Sequence, residues 1–160
     1  MKYLEPSKVK YIVVHCSDTY PGQKVDARTI DEWHRNRPDA FQMIGYHFVV
    51  KEDGELEAGR PLFYQGAHVG KYNSVSVGVC YCGGRMLADG GIVYTDTRTE
   101  AQKRKLIELL CYLKRKFPQA QIVGHKDLDH GKACPCFNAK AEYSQLNGNQ
   151  KLGKADFLSV

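Results

Sequence analysis

Residues 9–16 read Val-Lys-Tyr-Ile-Val-Val-His-Cys, and this nearly continuous apolar, β-branched run is the feature that most constrains the fold. Such a run is typical of a strand buried on both faces, in the middle of a sheet that helices cover on each side. His15 lies at the end of the strand, directly before the turn-forming segment 17–22. Because α/β proteins bind ligands where strands open into loops, His15 is a candidate functional residue.

The rest of the chain alternates strand and helix patterns. The patterns predict helices at 27–37, 100–117 and 138–146, strands at 46–51, 55–58, 74–82 and 121–124, and a loop at 85–95. Asp26 is the predicted N-cap of the first helix, and Thr99 with Gln102 forms a capping box that begins the longest one. We therefore expect one α/β (α+β) domain at 1–146, with a central mixed sheet flanked by helices, and a poorly ordered tail at 147–160.

Composition limits the possible classes of protein without choosing a function. The chain has 160 residues, enough for one domain with a proper core, and a formal net charge of +5. That mild excess of base suits a polyanionic partner, either a cell-wall polymer or a nucleic acid. No run of about eighteen apolar residues exists to span a membrane, and the N-terminus lacks the apolar core of a signal peptide. The six cysteines do not suggest a disulfide scaffold in such a chain.

Histidine and cysteine residues concentrate in segment 125–136, which glycine and proline residues interrupt. Zinc prefers nitrogen and sulfur ligands, and a catalytic zinc site keeps three protein ligands and leaves one position to water. His125 and Cys134 can bind one ion together with His15. The alternative is that His125 is a hydrogen-bonded residue at a strand end and Cys134 a small apolar residue. A second thiol, Cys136, leaves open which cysteine would bind a metal.

Several short motifs occur in a family-specific order across residues 9–140. They are Val13-Val14-His15-Cys16-Ser17, Trp33-His34, Gly45-Tyr46-His47-Phe48, Gly66-Ala67-His68, Tyr72-Asn73, Ser76-Val77-Gly78-Val79, Gly124-His125-Lys126-Asp127 and Lys132-Ala133-Cys134-Pro135. In these motifs the chain resembles the type-2 N-acetylmuramoyl-L-alanine amidases, whose fold animal peptidoglycan recognition proteins share. Segment 38–44 departs from the pattern because it lacks the tryptophan of the family's turn.

The resemblance implies a role for individual residues. The family's ligands to one zinc ion correspond to His15, His125 and Cys134, and its catalytic residues to Tyr46 and Lys132. Its substrate-groove positions correspond to His34, His68 and Asn73. Tyr46 and Lys132 would then stabilise the oxyanion that forms on the scissile carbonyl. Independently of the resemblance, Asp127 or Asp129 is a candidate for orienting a ligand histidine through a hydrogen bond.

The resemblance also implies the activity, which is zinc-dependent hydrolysis of the amide between N-acetylmuramic acid and L-alanine in peptidoglycan. We expect an endolysin-like, cell-wall-degrading enzyme that is made in the cytoplasm without a signal peptide, unless a leader has been removed. Its partner would be peptidoglycan rather than nucleic acid, and it would act as a monomer.

Two other functions compete with the amidase. A non-catalytic peptidoglycan-binding module would lack the metal-binding cysteine, whereas Cys134 is present here. A cysteine hydrolase using His15 and Cys16 is disfavoured, because adjacent residues of a strand point to opposite faces.

Overall fold

The computed structural model describes residues 1–148 and contains the predicted alternation of strands and helices. Its regular elements are β1 (Tyr11–Cys16), α1 (Ala27–Arg35), β2 (Phe48–Val50), β3 (Leu56–Ala58), β4 (Ser76–Tyr81), β5 (Arg85–Ala88), β6 (Gly91–Tyr94), α2 (Glu100–Lys116), β7 (Gln121–Gly124), α3 (His125–Leu128), α4 (Ala139–Glu142) and α5 (Ser144–Gly148). Short 3₁₀ helices lie at Pro6–Lys8 and Gly70–Val75.

Five of the strands form one mixed sheet in the order β3-β2-β4-β1-β7. β1 pairs in parallel with both β4 and β7, β2 is parallel to β4, and β3 is antiparallel to β2. The predicted central mixed sheet is confirmed. The carboxyl ends of the four parallel strands therefore meet at one edge, where α/β proteins bind their ligands.

The sheet is covered on both faces, which explains why β1 is apolar along its whole length. Val14 belongs to the larger core cluster together with Leu106 and Leu110 of α2. On the opposite side, Ile30 of α1 packs with Val49 and Cys80. Ile12 to Cys16 are all buried as a consequence. The long helix and the first helix thus enclose the sheet, as the apolar run predicts.

The predicted helix starts are confirmed. The Asp26 carboxylate accepts a hydrogen bond from the Thr29 amide at 2.8 Å, and Thr99 and Gln102 form a reciprocal capping box. α1 ends two residues earlier than its pattern suggests. α2 ends at Lys116, and the buried ammonium group of Lys114 in its last turn donates to the carbonyls of Pro118 and Ala120 after the helix.

The prediction of a loop at 85–95 is wrong, because this segment forms the hairpin β5–β6. Gly90 and Gly91 adopt positive φ angles at its turn, where glycine carries no steric cost. Apolar residues on both sides of Asp89-Gly90 were the available signal. The hairpin does not join the main sheet, and Leu87 in it is 73% exposed.

The last described helix includes Asn147 and Gly148, whereas the sequence pattern predicts that they belong to the tail. The Asn147 carboxamide accepts from the Ile122 amide at 2.7 Å and donates to the Ile122 carbonyl at 3.1 Å. It therefore caps the outer edge of β7. Residues 149–160, the remainder of the predicted tail, lie outside the described residues. In the part of the chain that is described, no helix is long and apolar enough to cross a membrane.

We predict that Asn147→Ala lowers the free energy of unfolding by about 1–3 kcal/mol, because it leaves the Ile122 amide and carbonyl without their partners. Gln145→Ala removes an exposed side chain from the same short helix and should change it little. Urea denaturation of both variants measures the difference, and equal stabilities would show that this edge contact is dispensable.

Candidate active site

The two candidate histidine ligands come together through strand register. In the parallel pair of β1 and β7, Val14 is opposite Gly124. His15, the next residue of β1, and His125, the first residue after β7, therefore lie side by side, and their ring centroids are 4.6 Å apart. His125 begins α3, so the chain turns away from the sheet just after placing this ring.

The loop after α3 returns to bring Cys134 against the histidines. The Lys126 amide donates to the Cys134 carbonyl at 2.9 Å, and the buried Tyr81 hydroxyl donates to the Pro135 carbonyl at 2.7 Å. The Cys16 amide donates to Cys134 Sγ at 3.2 Å. Gly124 makes room for this loop, because a Cβ there would lie 2.7 Å from Pro135 Cδ.

One thiol lies with the histidines and the other does not. Potential ligand atoms of His15, His125 and Cys134 all lie within 4.8 Å of one another. Cys134 Sγ is 3.7 Å from His15 Nδ1. Cys136 has a positive φ of 69°, and its Sγ lies 3.8 Å from Cys16 Sγ. The geometry therefore groups Cys134 with both histidines and turns Cys136 towards the core.

The electrostatics of this cluster suit a metal ion. Burial lowers the pKa of His15 well below its usual value, and the neighbouring His68 and His125 add to the shift. Burial also lowers the pKa of His125. Both rings are neutral at physiological pH, which is the form that coordinates a metal. Two imidazole nitrogens and one thiol sulfur match the donor set of a zinc site with a fourth position free for water.

The second ring nitrogen of His15 contacts another histidine rather than a carboxylate. His15 Nε2 and His68 Nδ1 are 2.8 Å apart. Asp127, one of the acids expected to orient a ligand histidine, instead accepts from the Gly124 amide at 2.7 Å and caps the start of α3. The other, Asp129, accepts from the Gly131 amide at 3.2 Å.

Tyr46 borders the cluster on its open side. Its ring centroid lies 5.0 Å from that of His15 and 5.3 Å from that of His34. Burial raises the pKa of the Tyr46 phenol well above its usual value, and the nearby thiols Cys80 and Cys134 act in the same direction. The phenol therefore keeps its proton at neutral pH and can donate a hydrogen bond.

A groove of about 670 Å³ lies over the cluster and includes all the remaining predicted site residues. Its lining residues are His34, Arg37, Asp39, Phe41, Tyr46, Ala67, His68, Val69, Gly70, Lys71, Tyr72, Asn73, His125, Leu128, Asp129 and Lys132. Lys132 is exposed. His34 is fixed because its Nδ1 accepts from the Gly45 amide at 2.9 Å.

Asn73 stabilises the loop that forms part of the groove wall. Its side-chain oxygen accepts from the backbone amides of His68 and Val69, at 3.0 and 2.9 Å. One side chain thus fixes the loop that carries His68.

Sequence reasoning missed two parts of the groove. Arg37 and Phe41 form one wall, with the guanidinium 4.9 Å from the ring centroid, in the segment that lacks the family's tryptophan. Lys71 and Tyr72 form another, where the ammonium group lies 5.4 Å from the ring centroid. The available signal was the Tyr72-Asn73 motif, which Lys71 directly precedes.

Comparisons with known proteins agree with the geometry. A family model described as N-acetylmuramoyl-L-alanine amidase matches residues 5–137. The endolysins of Enterobacteria phage T3 and Escherichia phage T7 are each 40% identical over 129 residues, which is 81% of this chain and 82% of theirs. The solved amidase LysC from Clostridium intestinale has a TM-score of 0.71 at 26% identity, covering 92% of this chain and 93% of its own. Drosophila PGRP-LB shares the fold, with a TM-score of 0.72 at 21% identity over 96% of this chain and 89% of its own.

His47 gives a pH-dependent prediction. Its Nδ1 accepts from the Gly78 amide and its Nε2 donates to the Tyr64 carbonyl, both at 2.9 Å. Burial lowers the pKa of His47 to about 4. The unfolded chain takes up this proton near pH 6.5, whereas the folded chain does so only near pH 4. Stability from this group is therefore fully present above pH 6.5 and falls as the pH drops towards 4.

We predict that His47→Asn lowers the slope of the free energy of unfolding against pH between pH 6.5 and 4. The decrease is up to about 1.4 kcal/mol per pH unit, which corresponds to the one proton that His47 takes up on unfolding. Denaturant titrations of the metal-free protein across this window measure the slope. His130→Asn at an exposed position is the control and should leave it unchanged. Parallel curves for both variants and the parent protein would contradict a neutral, buried His47.

Proposed function

This chain belongs to the N-acetylmuramoyl-L-alanine amidase family, and we propose that one zinc ion bound by His15, His125 and Cys134 serves its reaction. The enzyme hydrolyses the amide between N-acetylmuramic acid and L-alanine in peptidoglycan. One observation carries the zinc proposal: two imidazoles and one thiol have ligand atoms within 4.8 Å of one another beneath a groove. A binding module would not need this complete donor set.

A zinc ion would activate both the amide carbonyl and the attacking water. An amide is a weak electrophile with a poor leaving group, and a zinc ion polarises a carbonyl and lowers the pKa of a water to about 7. The remaining contributions come from the chain itself. His15 is held neutral by burial, and His125 likewise, so both offer lone pairs without first losing a proton.

Tyr46 and Lys132 act on the charge that develops during the reaction. Tyr46 keeps its phenolic proton and donates a hydrogen bond to the scissile carbonyl oxygen as that oxygen becomes negative. Lys132 lines the same groove and contributes a positive charge there. One of these groups, or a water between them, passes a proton to the departing L-alanine amine.

His34, His68 and Asn73 line the groove in which the glycan and its stem peptide bind. The ring of His34 is a neutral surface there, since burial lowers its pKa to about 4. Phe41 extends that surface, with its ring centroid 5.1 Å from that of His34. A sugar or peptide chain can pack against these two rings.

Degradation of the bacterial cell wall is the process that this activity serves. The similar phage proteins are named endolysins, which supports an endolysin-like role in lysis. The cell wall is the place of action that the substrate implies.

We predict that amidase activity on purified peptidoglycan, measured as new L-alanine amino groups, stops with a chelator and returns with zinc. Cys134→Ser should abolish both zinc binding and activity, since a hydroxyl is a poor zinc ligand. Cys136→Ser is the matched control two residues away and should retain both, because this thiol faces Cys16. Cleavage by zinc-free protein, or loss of zinc in Cys136→Ser alone, would refute the proposed ligand set.

We predict that Tyr46→Phe and Lys132→Ala each lower kcat by about a hundredfold, the size expected for a lost oxyanion donor. Neither change removes a ligand atom, so bound zinc measured by atomic absorption should remain at one ion per chain. Lys140→Ala, on the exposed surface of α4, should keep full activity. A Lys132→Ala protein that loses zinc would instead make Lys132 a structural residue.

A further inference from the structure

A chain of hydrogen bonds extends from the candidate ligand His15 into the protein. His15 Nε2 lies 2.8 Å from His68 Nδ1. His68 Nε2 lies 3.3 Å from the hydroxyl of Ser76, which is fully buried at the start of β4. The Ser76 hydroxyl donates to the Tyr72 carbonyl at 2.8 Å. The chain of hydrogen bonds ends there, because a backbone carbonyl can accept hydrogen bonds but cannot donate them.

The hydrogen bond from Ser76 to the Tyr72 carbonyl determines which ring nitrogen carries the proton in His68 and in His15. Ser76 has one hydroxyl proton, and the shorter contact assigns it to Tyr72. Ser76 can then only accept from His68, so the single proton of the neutral His68 ring is on Nε2. His68 Nδ1 must in turn accept a hydrogen bond from the N–H at His15 Nε2. The lone pair of His15 is therefore on Nδ1, the atom that lies 3.7 Å from Cys134 Sγ.

The ring of His68 is held so that this chain of hydrogen bonds persists. A Cβ on Gly66 would lie 2.4 Å from His68 Cδ2, and one on Gly78 would lie 2.8 Å from His68 Cγ. At both positions the glycine backbone packs directly against the His68 ring and leaves no room for a side chain. Asn73 fixes the His68 backbone amide at 3.0 Å. The ring has little freedom to rotate and exchange its two nitrogens.

We propose that His68 and Ser76 are positioning residues that set the tautomer of His15, so that its Nδ1 lone pair points to the metal position. The proposal deepens the zinc function proposed above and rests on it. Both ring nitrogens of His68 are engaged within the protein, so the effect of His68 on the metal position passes through His15. Partners of metal-bound histidines commonly change metal affinity by tenfold to a hundredfold.

The first test measures the tautomers directly in metal-free protein. Long-range ¹H–¹⁵N NMR correlations of the imidazole rings should show the proton on Nε2 in both His15 and His68. A proton on Nδ1 of His15 would overturn the proposal. Because no metal is present, this result does not depend on whether zinc serves the reaction. Correct tautomers in a protein that fails to bind zinc would refute the proposed function and leave only the assignment of the two tautomers standing.

The second test removes the Ser76 hydroxyl, the last side-chain group in the chain of hydrogen bonds. Ser76→Ala takes away the acceptor for His68 Nε2, so the reversed arrangement with a proton on His15 Nδ1 becomes populated. We expect the zinc Kd, measured by competition with a chromophoric chelator, to rise about tenfold or more. Ser74→Ala, two residues away and exposed, is the control and should not change it. An unchanged Kd and unchanged NMR tautomers in Ser76→Ala would overturn the role of Ser76.

Discussion

The parallel pairing of β1 with β7 is the constraint on which the site depends. Val14 lies opposite Gly124, and only this register places His15 beside His125. A shift of one residue would turn one of the two rings to the other face of the sheet. The register is set by apolar residues buried on both faces of β1, so packing in the core determines the distance between two polar rings at the sheet edge.

The parts of the site that depend on local patterns could be predicted from the sequence. His15 lies at the end of an apolar run, and His125 directly follows a predicted strand. Because parallel strands end at the same edge of a sheet, the two candidate ligands are expected to lie near each other. The helix caps at Asp26 and Thr99 are equally local, because a side chain bonds an amide three residues away. Such signals need no knowledge of the rest of the fold.

The parts that depend on distant contacts could not be predicted. Cys134 and Cys136 differ in orientation because the loop is held by the Tyr81 hydroxyl, which belongs to β4. The resemblance assigns His68 to the groove, but nothing in its own stretch of sequence indicates that Gly78 of β4 packs against its ring. The hairpin β5–β6 was missed for another reason: its strands are exposed on both faces and show no alternation of apolar and polar residues.

The buried position of His15 explains why its surroundings are so fully bonded. An unsatisfied polar group in a protein interior costs about 1–3 kcal/mol, and in the described part of the chain no buried side-chain nitrogen or oxygen lacks a partner. His15 Nε2 contacts His68 Nδ1 at 2.8 Å, and His15 Nδ1 lies 3.7 Å from Cys134 Sγ. These two contacts, rather than water, stabilise the ring in the interior and hold it beneath the groove.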